Sequence, residues 1–186
     1  MGSIRITRRR RYVCALFVVL LIAASSRSAD AAEFVHPTEH YRLTYPDDWF
    51  VLQGVLNTGG PLQVSSVPIE KYRHGGILPP GAAEITVQVF PGDRDEKSVL
   101  ENLRVEPGAV RGSYASKGRK GERLQFTFND GSDLKPSPTT EVAVATKVGG
   151  RVFLAQLEYP DAGAVPAKWE EILASIIASI ESTGKE

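Results

Sequence analysis

Cysteine is almost missing from this chain: the one copy among 186 residues, Cys14, sits inside an apolar run near the N-terminus. Beyond that run there are no disulfides, thiolate metal sites or cysteine nucleophiles to invoke, so stability has to come from a packed core. Histidine is scarce as well, with only His36, His40 and His74 to serve as bases or imidazole ligands. A Gly-x-Ser-x-Gly elbow is absent, as are the glycine-rich spacings that cradle phosphates, so nothing points to a hydrolase elbow or a nucleotide site. No internal repeat and no low-complexity segment marks a second domain. Net charge is missing too, since 22 basic residues balance 22 acidic ones.

That balance conceals an asymmetry. Arg5 and Arg8-Arg9-Arg10-Arg11 precede an apolar run over 12–24, followed by small and polar residues around Ala29-Asp30-Ala31. A basic start, an apolar stretch of about a dozen residues and a small-residue site form a signal-peptide pattern, too short for the roughly 20 residues of a permanent span. The expectation is cleavage before Ala32, leaving one domain over 32–186. Arg9-Arg10-Arg11-Tyr12-Val13 loosely matches a twin-arginine signal, so both that route and the general one stay open. The location implied is outside the cytoplasmic membrane, periplasmic or extracellular, with the thylakoid lumen reserved for a photosynthetic source. Removing residues 1–31 takes six basic residues and one acidic one, leaving 16 against 21. A mildly acidic domain gives no general electrostatic case for nucleic acid, and no membrane-spanning segment is expected after cleavage; peripheral membrane contact stays open.

Along 32–186 short strands alternate with turn residues. Residues 41–45, a turn at Pro46-Asp47-Asp48 and a strand from Trp49 predict an opening hairpin. Further strands are expected over 62–67, 83–90, 110–115, 121–129, 142–148 and 151–159, with a short helix over 95–103 capped by Asp93 or Asp95. Gly149-Gly150 is a two-residue hairpin turn by composition. At the end, Trp169, Ile172, Leu173, Ile176, Ile177 and Ile180 recur at steps of three and four, which predicts an amphipathic helix over 166–184 opened by Pro166 and closed by Gly184. Burying six such side chains is worth roughly 1.5–3 kcal/mol each, so the helix needs a sheet to cover. The fold class is α+β: an antiparallel sheet flanked by helices, with a long C-terminal amphipathic helix packed on it.

Tyr41-Arg-Leu-Thr-Tyr-Pro-Asp-Asp-Trp49 resembles the opening hairpin of the PsbP-like superfamily, which takes in PsbP, Mog and DcrB-related exported proteins. The late strand pair over 142–148 and 151–159, followed by the helix around Trp169–Ile180, is similar to that superfamily's ending. The resemblance covers most of 32–186 in pattern. It implies a sheet flanked by helices and a role in assembly, binding or docking rather than catalysis, and it carries no functional residue onto a numbered position here.

Candidate sites follow from residue chemistry. His36 and His40 are four apart, with Glu39 available as an oxygen ligand to a metal, but Pro37 and the strand from Tyr41 argue against a helix that would set both on one face, so they read as a solvated N-terminal arm. Asp93–Ser98 and Asn129–Asp133 carry oxygen ligands but miss the positions of a calcium loop. Glu84 and Glu141 are candidates for paired carboxylates, alongside Asp47 and Asp48. His74 with a serine or carboxylate is the minimal hydrolase alternative. Two surfaces stand out. One is the hairpin carrying Arg111, Tyr114, Lys117, Arg119, Lys120 and Arg123, a basic patch on an acidic domain suited to an acidic protein or an anionic headgroup. The other is the Pro/Gly loop with Tyr72, Arg73, His74, Ile77 and Leu78, a groove rim or a structural cover. The reading is an exported binding or assembly module of the cell envelope, with an envelope protein as partner and no cofactor; a weak metal-binding protein through His36, Glu39 and His40 is the other alternative.

Overall fold

The structure is a computed structural model and describes residues 31–52, 60–68, 77–103, 107–129, 137–161 and 164–183. The larger of two antiparallel sheets runs in the order β3 (Phe50–Val51), β4 (Leu62–Ser65), β5 (Glu84–Phe90), β9 (Arg151–Tyr159), β8 (Pro138–Val148), β7 (Arg119–Asn129) and β6 (Val110–Ser116). The smaller has the order β1 (Ala31–Val35), β2 (Tyr41–Pro46) and β10 (Glu181–Ser182). Helix α1 spans Glu96–Glu101 and α2 spans Ala167–Ser179. The signal-peptide expectation covers residues 1–31, of which 1–30 lie outside the described residues; Ala31 opens β1.

Strand alternation divides the large sheet into two apolar faces. Val142, Val144, Phe153, Ala155 and Leu157 lie on one face, under Trp169, Leu173, Ile176 and Ile177 of α2 and under Tyr41 and Leu43 of the small sheet. Leu124, Phe126, Ala143, Ala145, Val152 and Leu154 lie on the other, under Val99 and Leu100 of α1. Both faces of β8 and β9 are thus covered, which is why these two strands read as nearly continuous apolar runs. Asp95 caps α1 as expected, its carboxylate accepting from the Ser98 N–H at 2.7 Å. Gly149 and Gly150 take positive φ values of 52° and 74°, the turn their composition implies.

Three expectations are corrected. Residues 41–51 do not form a hairpin: the turn closes, with Trp49 N–H donating to Pro46 C=O at 3.0 Å, but β3 pairs with β4 in the large sheet while β2 pairs with β1 and β10. The turn instead carries the chain between sheets and buries Trp49 edge-on to Trp169, at 5.8 Å between ring centres. The C-terminal helix is short, with 13 residues. Ile180 keeps the helical spacing and is fully buried, yet its backbone is extended, and Glu181–Ser182 then pair with Tyr41 and Arg42. Periodicity could not separate the two, because an extended Ile180 reaches the same core as a helical one. The N-terminal arm is not a free one either: it is strand β1, paired with β2, and although alternate residues face solvent, His36 beyond it is only 2% exposed.

Ile177, with no exposed surface, lies at the centre of the α2 contact. Ile177→Ala is expected to cost about 3 kcal/mol through lost transfer energy and a residual cavity. Urea unfolding should show this as a lower midpoint with an unchanged slope.

Candidate functional site

The basic hairpin β6–β7 is built by two local features. Its turn is Lys117-Gly118, with φ values of 47° and 80°. At Gly121 a side chain would place its Cβ 2.0 Å from the Ala145 carbonyl oxygen, so only glycine lets β7 approach β8 this closely. The hairpin then meets α2. The Lys117 ammonium donates to Ser175 Oγ at 2.6 Å, and Arg123 pairs with Glu170 at 2.6 Å while also reaching Gln125 Oε1 at 3.0 Å. Arg119 donates to the carbonyls of Ala178 and Ile180, at 3.3 and 2.6 Å. The last turn of α2 has no basic residue of its own, so Arg119 brings the cation that its unpaired carbonyls favour.

Alternation along the strands sends the remaining cations to the opposite face. Arg111 pairs in register with Leu124, and Lys120 with Ala115, on the face that α1 covers further along the sheet. Both side chains are exposed and without a partner among the described residues, and the exposed Glu122, in register with Ser113, lies between them on the same face. Continuing the β7–β8 register one step past Gly121 and Thr146 sets Lys147, also exposed and unpaired among those residues, beside Lys120. The sequence reading missed Lys147 because it lies on a separate strand in an apolar run; only the register unites it with the hairpin.

Tyr114 faces the α2 side, where burial raises its phenol pKa, and its hydroxyl has no well-formed hydrogen bond, Ser116 being the polar group beside it. Next to it a groove of about 480 Å³ runs between β6 and α2 over Val142, Val144, Leu173 and Ala174. In the Pro/Gly loop, Tyr72, Arg73 and His74 lie outside the described residues; Ile77 is half-buried, and Leu78, at 5% exposure, is used in packing.

His36, Glu39 and His40 form a structural turn. His36 Nε2 donates to the Gly60 carbonyl at 3.0 Å, while Nδ1 accepts from the N–H groups of Glu39 at 3.1 Å and Thr38 at 3.4 Å. Both ring nitrogens are therefore committed to backbone, and a metal would have to displace one of these bonds. His40 has a positive φ of 49°, and its carbonyl accepts from Arg151 at 2.9 Å and from the Thr183 N–H at 2.8 Å. No cluster of three or more metal-ligating side chains occurs among the described residues.

Glu84 and Glu141 do share a face, but Glu158 stands between them in one transverse row across β5, β9 and β8. Two strand spacings separate them, about 10 Å. Gln63 donates to Glu84 at 2.6 Å and Gln156 to Glu141 at 2.8 Å. Burial pushes the Glu141 carboxyl above its ordinary range, with the Gln156 bond opposing that shift in part.

No family model and no curated protein sequence matches the chain. Solved structures do resemble it. A crystal structure from Bacteroides thetaiotaomicron VPI-5482 aligns with TM-score 0.54 and 13% identity over 82% of this chain and 48% of that one, so this chain spans about half its length. The Ran-binding protein Mog1p of Saccharomyces cerevisiae aligns with TM-score 0.51 and 13% identity over 84% of this chain and 97% of Mog1p. The solution structure of cyanobacterial PsbP (CyanoP) from Synechocystis sp. PCC 6803 gives 0.44 and 12%, over 83% and 93%. At these identities the likeness is one of fold alone, shared with Mog1p over most of both chains.

A raised carboxyl pKa means that the folded state holds the Glu141 proton more tightly than the unfolded chain does, so this group favours folding at low pH. That contribution is lost as pH rises from the ordinary value of 4.5 through the folded one. Glu141→Gln keeps an acceptor for Gln156 and removes the buried charge. Thermal melting should show the variant more stable than the parent at pH 7 and equal to it below pH about 4.

Proposed function

We propose that this chain is an exported, non-catalytic binding module of the cell envelope that docks an acidic partner protein on the face bearing Arg111, Lys120 and Lys147. The observation that carries this reading is the division of the hairpin. Lys117, Arg119 and Arg123 are spent on α2, whereas Arg111, Lys120 and Lys147 are exposed and unpaired among the described residues. Arg111, Lys120 and Lys147 outnumber Glu122, which lies between Arg111 and Lys120 on the same face, and on a domain with 16 basic against 21 acidic residues after residue 31 they give a local field of opposite sign to the whole. Such a field steers an acidic partner and fixes its orientation. The fold is shared with a protein that binds Ran, which supports a binding role in general terms. Export rests on the basic and apolar N-terminal segment. No helix among the described residues is long and apolar enough to cross a membrane. The hydrolase alternative depends on His74, outside the described residues, and no observation favours it.

The test reverses the free cations and spares the structural ones. With Arg111→Glu and Lys120→Glu together, crosslinking in the native envelope should recover about tenfold less partner, and the melting temperature should stay within a few degrees of the parent. Unchanged recovery with intact folding would remove this face as the docking surface.

A further inference from the structure

Strand β6 is the outer strand at its end of the large sheet, and no strand pairs with its far side among the described residues. In a two-residue hairpin the closing pair, here Ser116 and Arg119, exchanges both backbone bonds, and the pattern alternates from there. Gly112, Tyr114 and Ser116 thus face β7, while Arg111, Ser113 and Ala115 turn their N–H and C=O groups outward. Edge strands are commonly guarded by proline, a bulge or several charges. This one has no proline, pairs residue for residue with β7, carries Arg111 as its sole charge and exposes Val110 by 66%. Its small residues, Gly112, Ser113 and Ala115, let another backbone come close.

The two faces beyond that edge differ in chemistry. On the α2 side lies the groove floored by Val142, Val144, Leu173 and Ala174. On the other side stand Arg111 and Lys120, with Glu122 between them in register with Ser113, so the two cations exceed the one carboxylate of that stretch of the hairpin. We infer that β6 accepts an extended acidic segment of a partner protein as an eighth strand, with apolar side chains turned toward the groove and carboxylates toward Arg111 and Lys120. This rests on the binding role proposed above and specifies its mode: main-chain bonds supply affinity, and the alternation of acidic and apolar residues supplies selectivity. A second copy of this chain suits the edge less well, because antiparallel pairing centred on Ser113 would set one copy's Arg111 in the same row as the other's Lys120, with only Ala115 between.

The probe is a fluorescein-labelled heptapeptide alternating glutamate and valine, titrated against the full chain by fluorescence anisotropy, with a lysine–valine peptide as counterpart. The glutamate peptide should bind, and the lysine peptide should bind about tenfold more weakly, a preference that Arg111→Glu with Lys120→Glu inverts. Ser113→Pro removes an outward N–H without touching the β6–β7 ladder and should weaken binding about tenfold at unchanged melting temperature. N-methylating alternate peptide amides should abolish binding to the parent chain, a control that needs no protein variant. Failure of the glutamate peptide to bind overturns the inference, as does equal binding by the N-methylated peptide. A concentration-dependent dimer that the peptide fails to displace overturns it in favour of a second copy. If envelope crosslinking is lost on charge reversal yet survives Ser113→Pro, docking through the cations stands and strand addition does not.

Discussion

Arg119 reaches across from the start of β7 and sets its guanidinium on the carbonyls that end α2. Those carbonyls close a helix that buries Trp169, Leu173, Ile176 and Ile177 against the large sheet, directly before Ile180 turns the chain into β10. Charge-assisted bonds of this kind contribute about 1.5–3 kcal/mol, and the helix dipole adds to them. The consequence reaches beyond stability. Holding α2 against the hairpin commits one face of β6–β7 to structure, so alternation leaves the other face as the one where cations stay free. Position on the strand, more than charge itself, decides which arginine or lysine is available to a partner.

A second network does the same for the N-terminal segment. Arg151 donates to the carbonyls of Glu39 and His40, Thr183 donates to His40, and His36 is fixed between Gly60 and the backbone of its own turn. The tight turn at His40, with its positive φ, joins β1–β2 to the large sheet and to β10. Backbone satisfaction thus accounts for His36, the commoner need of a buried imidazole, while Glu39 and His40 serve this network through their carbonyls.

Much of the fold was legible because it rests on local rules. Asp95 as cap, Gly149-Gly150 as turn, and the alternation in β5, β7, β8 and β9 each follow from a few neighbouring residues. What escaped was set by distant parts of the chain. The turn after Pro46 was readable, but whether β2 and β3 pair with each other depends on where β4 and β10 lie. Ile180 fits a helix and an extended strand equally well until β2 offers a pairing partner. The site was legible only in outline: the basic hairpin stood out by composition, yet its division into spent and free cations needed the position of α2, and Lys147 needed the sheet register.

Arg119 and Lys120 are neighbours in sequence, identical in charge and opposite in facing, so reversing each alone separates structure from docking. Arg119→Glu should lower stability by about 3 kcal/mol, roughly 6–12 °C in melting temperature, because it sets a carboxylate against the helix's own carbonyls. Lys120→Glu should leave melting within a few degrees of the parent while reducing partner recovery. Equal melting for the two variants would contradict the account, since α2 would then not depend on the hairpin that defines its free face.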